Sequence, residues 1–336
     1  MPLAFIKKRM KFTQYFGIIL GAFYGLGFRM LCEKESISGV YDLYDIYSVT
    51  FIWIVPIVVG IIPILFAREE ILKSKWKQFI FPFLSVLLFF LFALSSGLED
   101  WLCILIIALP FLFSAGIVGL LLSNYIKNRK SNKLYSIILL PLILNPLEVY
   151  LPNNEKTYSV QSDILIESQK ETVWNNLIEV PEIKENEYNN GFYNYIGVPR
   201  PIKSELKTIE NIEYRIGYFT EGLKLYETIS KIDTFSFVNF KIHIDKSELR
   251  NTPTDKHLLK SEYFKFENIS YTLQEESNGE IKLTLNCDYK LNSKMNFYAS
   301  FWADRIIKDF EEKLLKVLKN KIEKNHLLTK PNPNLR

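Results

Sequence analysis

Cysteine and histidine are both scarce, with three of each in 336 residues. Cys103 lies inside an apolar run, no Cys-x-x-Cys pair occurs, and His243, His257 and His326 are scattered. Neither a disulfide framework nor a zinc site is expected from such spacing, and no metal or cofactor is implied. A strong excess of one charge is also missing. The net charge of +4 is too small to argue for nucleic acid. No nucleophile motif or His-centred dyad stands out, so the residues name no catalytic group. Most telling is the lack of Asp, Glu, Lys, Arg and His inside the first four apolar runs. Ion pathways and proton relays depend on such groups, so these runs read as an anchor or lipid-facing platform and not as a pump.

What is present divides the chain near residue 150. Before it stand long apolar runs; from about Asn153 onward the sequence is polar and strand-rich. A spanning helix needs roughly 20 mainly apolar residues. Runs at 13–32, 49–67, 78–97 and 101–126 qualify. A fifth, at 134–151, is shorter and carries Pro141, Asn145, Pro146 and Glu148, so it either crosses or lies partly in the interface. The first run lacks a small-residue cleavage site and more spans follow, which argues against a signal peptide. Flanking charges alternate. Lys7, Lys8, Arg9 and Lys11 precede the first run, and Glu33, Glu35, Asp42 and Asp45 follow it. Arg68, Lys73, Lys75 and Lys77 come next, then Glu99 and Asp100, then Lys127, Arg129, Lys130 and Lys133. By the positive-inside rule the N-terminus is cytoplasmic. A crossing fifth run, the reading adopted, puts the C-terminal half outside; a non-crossing one keeps it inside. Arg29 and Glu148 are placed near span ends, within reach of the interface. Gly17, Gly21 and Gly25 form a small-residue ridge on the first span. Such ridges let helices approach closely, inside one bundle or between two copies of a homo-oligomer.

In the second half, residues 157–167 alternate as a half-buried strand. A short helix follows, with Ser168 and Glu171 spaced as a capping box and Val173, Trp174, Leu177 and Ile178 on its buried face. Strands are expected at 211–219, 223–231, 234–245, 262–275 and 281–291. The apolar phase slips inside the third and fourth of these, which predicts bulges near Val238–Asn239 and between Phe266 and Ile269. A long helix at about 295–325 carries the stripe Trp302, Ile306, Phe310, Leu314, Val317 and Ile322, and residues 326–336 are expected to be disordered.

Within "RIGYFTEGLKLYETI" (215–229), Glu227 falls on an apolar strand face with Leu223, Leu225 and Ile229. A three-residue loop, Thr220–Gly222, would set Arg215 directly opposite Glu227. A two-residue loop would set Ile216 there and turn Arg215 to the other face. A lone buried carboxylate costs several kcal/mol or becomes neutral; a paired one is tolerable. Arg200, held between two prolines in "GVPRP", either clamps an anionic group or pairs with Glu185 or Glu187. Trp302 is either core or a ligand platform.

The order strand, short helix, antiparallel strands and long final helix resembles the START-related (SRPBCC, polyketide cyclase-like) superfamily. The stretches "ILIESQKETVWNNLIEVPEI", "GVPRP" and "YRIGYFTEGLKLYETI" carry that resemblance, which covers about 157–325. The nearer likeness is to bacterial membrane-anchored members. It implies an N-terminal all-α transmembrane bundle (1–151) in the bacterial cytoplasmic membrane. It also implies a C-terminal α+β helix-grip domain, a curved antiparallel sheet wrapped on the long helix with a cavity between them. Because related domains line that cavity with charged strand residues, it favours the paired register. The function it implies is binding of a hydrophobic or lipid-like ligand, with Arg200, Arg215, Glu227 and Trp302 as ligand-binding candidates and none of them catalytic. The alternatives are an enzyme acting on a hydrophobic substrate, with Arg215, Glu227 and nearby tyrosines as acid–base groups, or a ligand-free interaction module. The partners expected are the lipid bilayer and an amphipathic small molecule, not nucleic acid.

Overall fold

The computed structural model describes residues 11–33, 44–128 and 135–329. Several charges that argue for orientation, among them Lys7, Lys8, Arg9, Glu35, Asp42, Arg129, Lys130 and Lys133, lie outside the described residues, as does the tail beyond Thr329. The chain divides into two units, Met1–Asn153 with Ser293–Met295, and Asn154–Asn292 with Asn296–Arg336.

The first unit is helical: α1 (Lys11–Leu31), α2 (Val55–Leu65) after a π turn at Thr50–Ile54, α3 (Glu69–Lys73), α4 (Lys75–Ile80), α5 (Phe83–Ser95), α6 (Trp101–Asn128) and α7 (Leu140–Val149). Two stretches, Lys75–Ser95 and Trp101–Ile126, are long and apolar enough to cross a membrane; Tyr15–Leu31, Thr50–Leu65 and Ser136–Val149 are apolar but shorter. The fifth expected span is a 3-10 turn at Tyr135–Leu139 followed by the ten-residue α7, a helix of about 15 Å against a hydrocarbon core of about 30 Å.

The glycine ridge of α1 packs against other helices of the same chain, the first of its two expected uses. A Cβ on Gly21 would stand 2.3 Å from Ser85 Oγ and 2.9 Å from the Val59 carbonyl. Gly17 meets Phe66, and Gly25 meets Phe89 and Val59. Backbone-close packing of α1 on α2 and α5 requires these glycines.

Arg29 and Glu148 are corrected: neither reaches out of the unit. Arg29 is fully buried, donates through Nε to Glu99 Oε1 at 2.5 Å and through Nη1 to Glu33 Oε2 at 2.8 Å, and also bonds the Leu98 carbonyl. Glu148 accepts from the backbone N–H groups of Val49 and Thr50 and from the Thr50 hydroxyl, so it caps the start of the helix entering α2.

The second unit holds β1 (Asn154–Ile166), α8 (Lys170–Ile178), α9 (Phe192–Tyr195), β2 (Pro201–Ile209), β3 (Ile212–Phe219), β4 (Lys224–Asp233), β5 (Phe237–Ile242), β6 (Phe264–Glu275), β7 (Ile281–Ser293) and α10 (Asn296–Thr329). The seven strands form one sheet in the order β1-β7-β6-β5-β4-β3-β2. Consecutive strands from β2 to β7 pair antiparallel. One sheet face carries Val238, Phe240, Tyr271, Leu273, Leu283 and Leu285, and buries them against α8 and the Leu314–Ile322 segment of α10. This is the helix-grip arrangement.

Four sequence expectations change. Strand β2 was missed, because its Pro-led sequence alternates weakly. No register shift occurs at Val238–Asn239. Phe235 lies in a turn with φ +65°, so β5 starts at Phe237 in a single phase, and the bulge falls across from it at Ile229–Lys231 of β4. The β6 bulge, by contrast, lies where it is expected, at Phe266–Asn268. Ser168 caps nothing: Gln169 is the cap residue of α8, and the Ser168 hydroxyl is buried without a partner. Helix α10 runs on to Thr329, past the expected end, so residues 326–329 are helical.

Candidate functional site

The hairpin tip decides what Glu227 meets. Thr220–Gly222 make a 3-10 turn in which Glu221 (φ +60°) and Gly222 (φ +81°) both take left-handed backbone. Glycine does so without a Cβ penalty; Glu221 does not, so its conformation needs outside support. Arg250 supplies it, donating through Nη1 to Glu221 Oε2 at 2.8 Å and to the Gly197 carbonyl at 3.0 Å. Nη2 of the same buried Arg250 pairs with buried Asp255 at 2.7 Å. The sequence reading missed this clamp, which ties the hairpin tip to the "GVPRP" loop.

With a three-residue tip, Tyr218 faces Lys224, Gly217 faces Leu225 and Arg215 faces Glu227. Directly opposed residues share a sheet face, so the pair lies on the face that α8 and α10 cover. Arg215 and Glu227 are 7% and 5% exposed. Arg215 Nη1 donates to Glu227 Oε2, Nε donates to the Ile178 carbonyl at 3.0 Å, and the guanidinium carbon lies 4.6 Å from the centre of the Phe240 ring. One partner alone would be an uncompensated buried charge; together, with the carbonyl and the ring, they are held.

The same interior contains groups the sequence reading passed over. Glu311 of α10 is 1% exposed. Its Oε2 accepts from Ser162 Oγ of β1 at 2.7 Å, and its Oε1 is buried with no hydrogen-bond partner. Burial pushes its carboxyl up to about 7; the Ser162 bond and Lys308 oppose that shift, and Glu312 adds to it. Burial also raises Tyr271 to about 12, with Arg215 opposing and Glu227 and Glu311 adding. The thiol of Cys287 on β7 is raised by burial and by Glu311. Tyr271 and Cys287 therefore lie within electrostatic range of Glu311, and Tyr271 within range of the ion pair as well.

Arg200 and Trp302 are not part of this group. Arg200 pairs with neither Glu185 nor Glu187: its backbone N–H donates to Thr220 Oγ1 at 3.1 Å and its Nη1 reaches the Ile183 carbonyl at 3.4 Å, while Glu187 pairs with Lys321 at 2.9 Å. Trp302 is half-buried near the start of α10, edge-on to Phe301. A separate open cleft of about 450 Å³ lies between α8 and β2, lined by Asn175, Glu179, Lys203 and Glu205 among others, and includes neither member of the ion pair.

No protein-family model and no curated protein matches the chain. Several solved structures are similar in fold to about half of this chain. The Zhui aromatase/cyclase from Streptomyces sp. R1128 is 10% identical, with 51% of this chain and 96% of that chain covered and a TM-score of 0.33. Norcoclaurine synthase from Thalictrum flavum is 8% identical, with 52% and 98% covered and a TM-score of 0.32. The ginseng major latex-like protein 151 from Panax ginseng is 16% identical, with 47% and 97% covered and a TM-score of 0.25.

Proposed function

We propose that this chain is a membrane-anchored binding protein whose helix-grip domain holds a hydrophobic or lipid-like molecule between its sheet and α10. The observation that carries this reading is the Arg215–Glu227 pair, buried on the covered sheet face and aligned in register. Binding sites for apolar molecules combine apolar walls with a few placed polar groups. Phe240, Tyr271, Leu225 and Leu285 are buried apolar residues of the same interior, and on this reading the ion pair is the polar feature that orients an amphipathic guest.

The anchor has its own support. Leu84, Leu87 and Leu91 of α5, and Leu109, Phe113 and Leu121 of α6, are all exposed. Large apolar side chains at helical spacing on an uncovered face suit hydrocarbon and not water. The reading includes a multi-pass arrangement in a cytoplasmic membrane, with the second unit on the outer side.

The test is binding of the neutral apolar dye N-phenyl-1-naphthylamine to the purified full-length protein after removal of co-purifying lipid. Saturable binding, displaced by lipid extract, is expected. A folded, lipid-free protein that takes up no dye contradicts the reading.

A further inference from the structure

Among the described residues, Glu311 is the carboxylate with a buried oxygen that has no hydrogen-bond partner. It falls in the buried stripe of α10 between Ile307 and Leu314, on the side of the helix that packs against β1. A carboxyl there loses its hydration, and a buried polar atom without a partner costs about 1–3 kcal/mol. Each such atom in a native structure calls for an explanation, and a bound group is one. Ser162 satisfies Oε2, and Oε1 has no partner.

The surroundings define what Oε1 accepts. From β1 the Ser162 hydroxyl bonds the other carboxyl oxygen; from β6 and β7 the Tyr271 phenol and the Cys287 thiol lie within electrostatic range, and burial raises both. On α10 itself, Lys308 donates to the Gln161 carbonyl at 2.5 Å and Lys313 pairs with Asp309 at 2.5 Å. The interior arginine, Arg215, is matched by Glu227. The cation that acts on Glu311, Lys308, bonds the Gln161 carbonyl and pairs with Glu312 at 3.7 Å, so a carboxylate or phosphate head brought to ionised Glu311 would meet a like charge. A hydroxyl would meet an acceptor.

Resting on the ligand-binding reading above, we propose that Glu311 is the head-group site of the domain. Its Oε1 accepts a hydrogen bond from an uncharged, hydroxyl-bearing lipid, a long-chain alcohol, whose chain lies along the apolar sheet face. A fatty acid is discriminated against. A hydrogen bond to an ionised acceptor is stronger than one to a neutral acceptor, so the bound alcohol favours ionised Glu311. By linkage, alcohol affinity rises with pH through the titration of this carboxyl, whose free-state value is about 7.

The experiment is displacement of N-phenyl-1-naphthylamine from the full-length protein by tetradecanol and by tetradecanoate, at pH 6 and pH 8. Tetradecanol is expected to displace the dye at lower concentration than tetradecanoate at pH 8. Its affinity is expected to rise on the order of fivefold from pH 6 to pH 8. In Glu311→Gln, the pH dependence of tetradecanol displacement flattens. Ser162→Ala, which removes the donor to Oε2, moves the pH midpoint upward and provides a second check if Glu311→Gln does not fold. Equal or tighter binding of tetradecanoate overturns the proposal, and loss of that binding in Arg200→Ala assigns the head group to Arg200. An unchanged pH profile in Glu311→Gln overturns it too. Dye binding that persists in these cases leaves the ligand-binding reading standing, whereas no dye binding by wild type removes both.

Discussion

Ser162 Oγ on β1 donates to Glu311 Oε2 on α10 at 2.7 Å, and the other carboxyl oxygen of Glu311 is buried without a partner. The single bond does not offset the loss of hydration, so the carboxyl rises to about 7, against about 4.3 in an unfolded chain. Between those values the native state holds a proton that the unfolded state has released. Stability attributable to Glu311 therefore falls as pH rises from about 4 to about 7, and is level above that, with a total change on the order of 3 kcal/mol. Thermal midpoints of wild type and Glu311→Gln across pH 5 to 8 check this: the variant is expected to gain on wild type as pH rises. Parallel curves contradict it.

Removing one member of the Arg215–Glu227 pair leaves a buried charge. Arg215→Met or Glu227→Leu alone is expected to cost about 3–5 kcal/mol, while the double variant costs clearly less than the sum of the two. Denaturation midpoints of the two single variants and the double variant measure the coupling. Additive losses would mean that the two side chains do not act as a pair.

A Cβ on Gly21 of α1 would collide with Ser85 Oγ and the Val59 carbonyl, one of them backbone. Gly21→Ala is expected to destabilise the helical unit by about 1–3 kcal/mol through overpacking. Gly27, whose Cβ position meets nothing within 4 Å, is the control: Gly27→Ala should be neutral or slightly stabilising, since alanine favours the helix. Detergent-resistant thermal stability of the two variants distinguishes them, and equal behaviour contradicts the packing described.

Sidedness of the second unit has a direct measurement. Ser277 lies exposed in the β6–β7 turn, whereas Cys32 and Cys287 are buried. Ser277→Cys is expected to react with an impermeant maleimide in intact cells. Reaction only after permeabilisation places the unit inside and removes the crossing by the fifth run.

The hairpin register was half legible: the residues left a two- and a three-residue loop open, the family resemblance favoured the three-residue one, and the structure has it. A loop of Thr-Glu-Gly, with glycine free to take positive φ, fixes which residues oppose each other several positions away. The helix-grip order was legible for a related reason: strand alternation and a long amphipathic helix are local patterns. Glu311 was not legible. On a helix rich in lysine and glutamate, a glutamate reads as solvent-facing, and the stripe read from Ile306 and Phe310 is one residue out of phase with the buried Ile307 and Glu311. Arg250 stayed hidden because its partners Gly197 and Glu221 lie far away in sequence. Arg29 was misread for the same reason: its partner Glu99 is 70 residues away, and a charge near a helix end looks like an interfacial one until that partner is placed.

The most direct measurement of the central claim is native mass spectrometry of the gently purified full-length protein, compared with the Arg215→Met/Glu227→Leu double variant. The account predicts a small apolar molecule retained by wild type and depleted in the folded variant. A wild-type protein that carries nothing, and takes up nothing when lipid extract is added back, would contradict it and leave the buried pair as a structural element of the sheet.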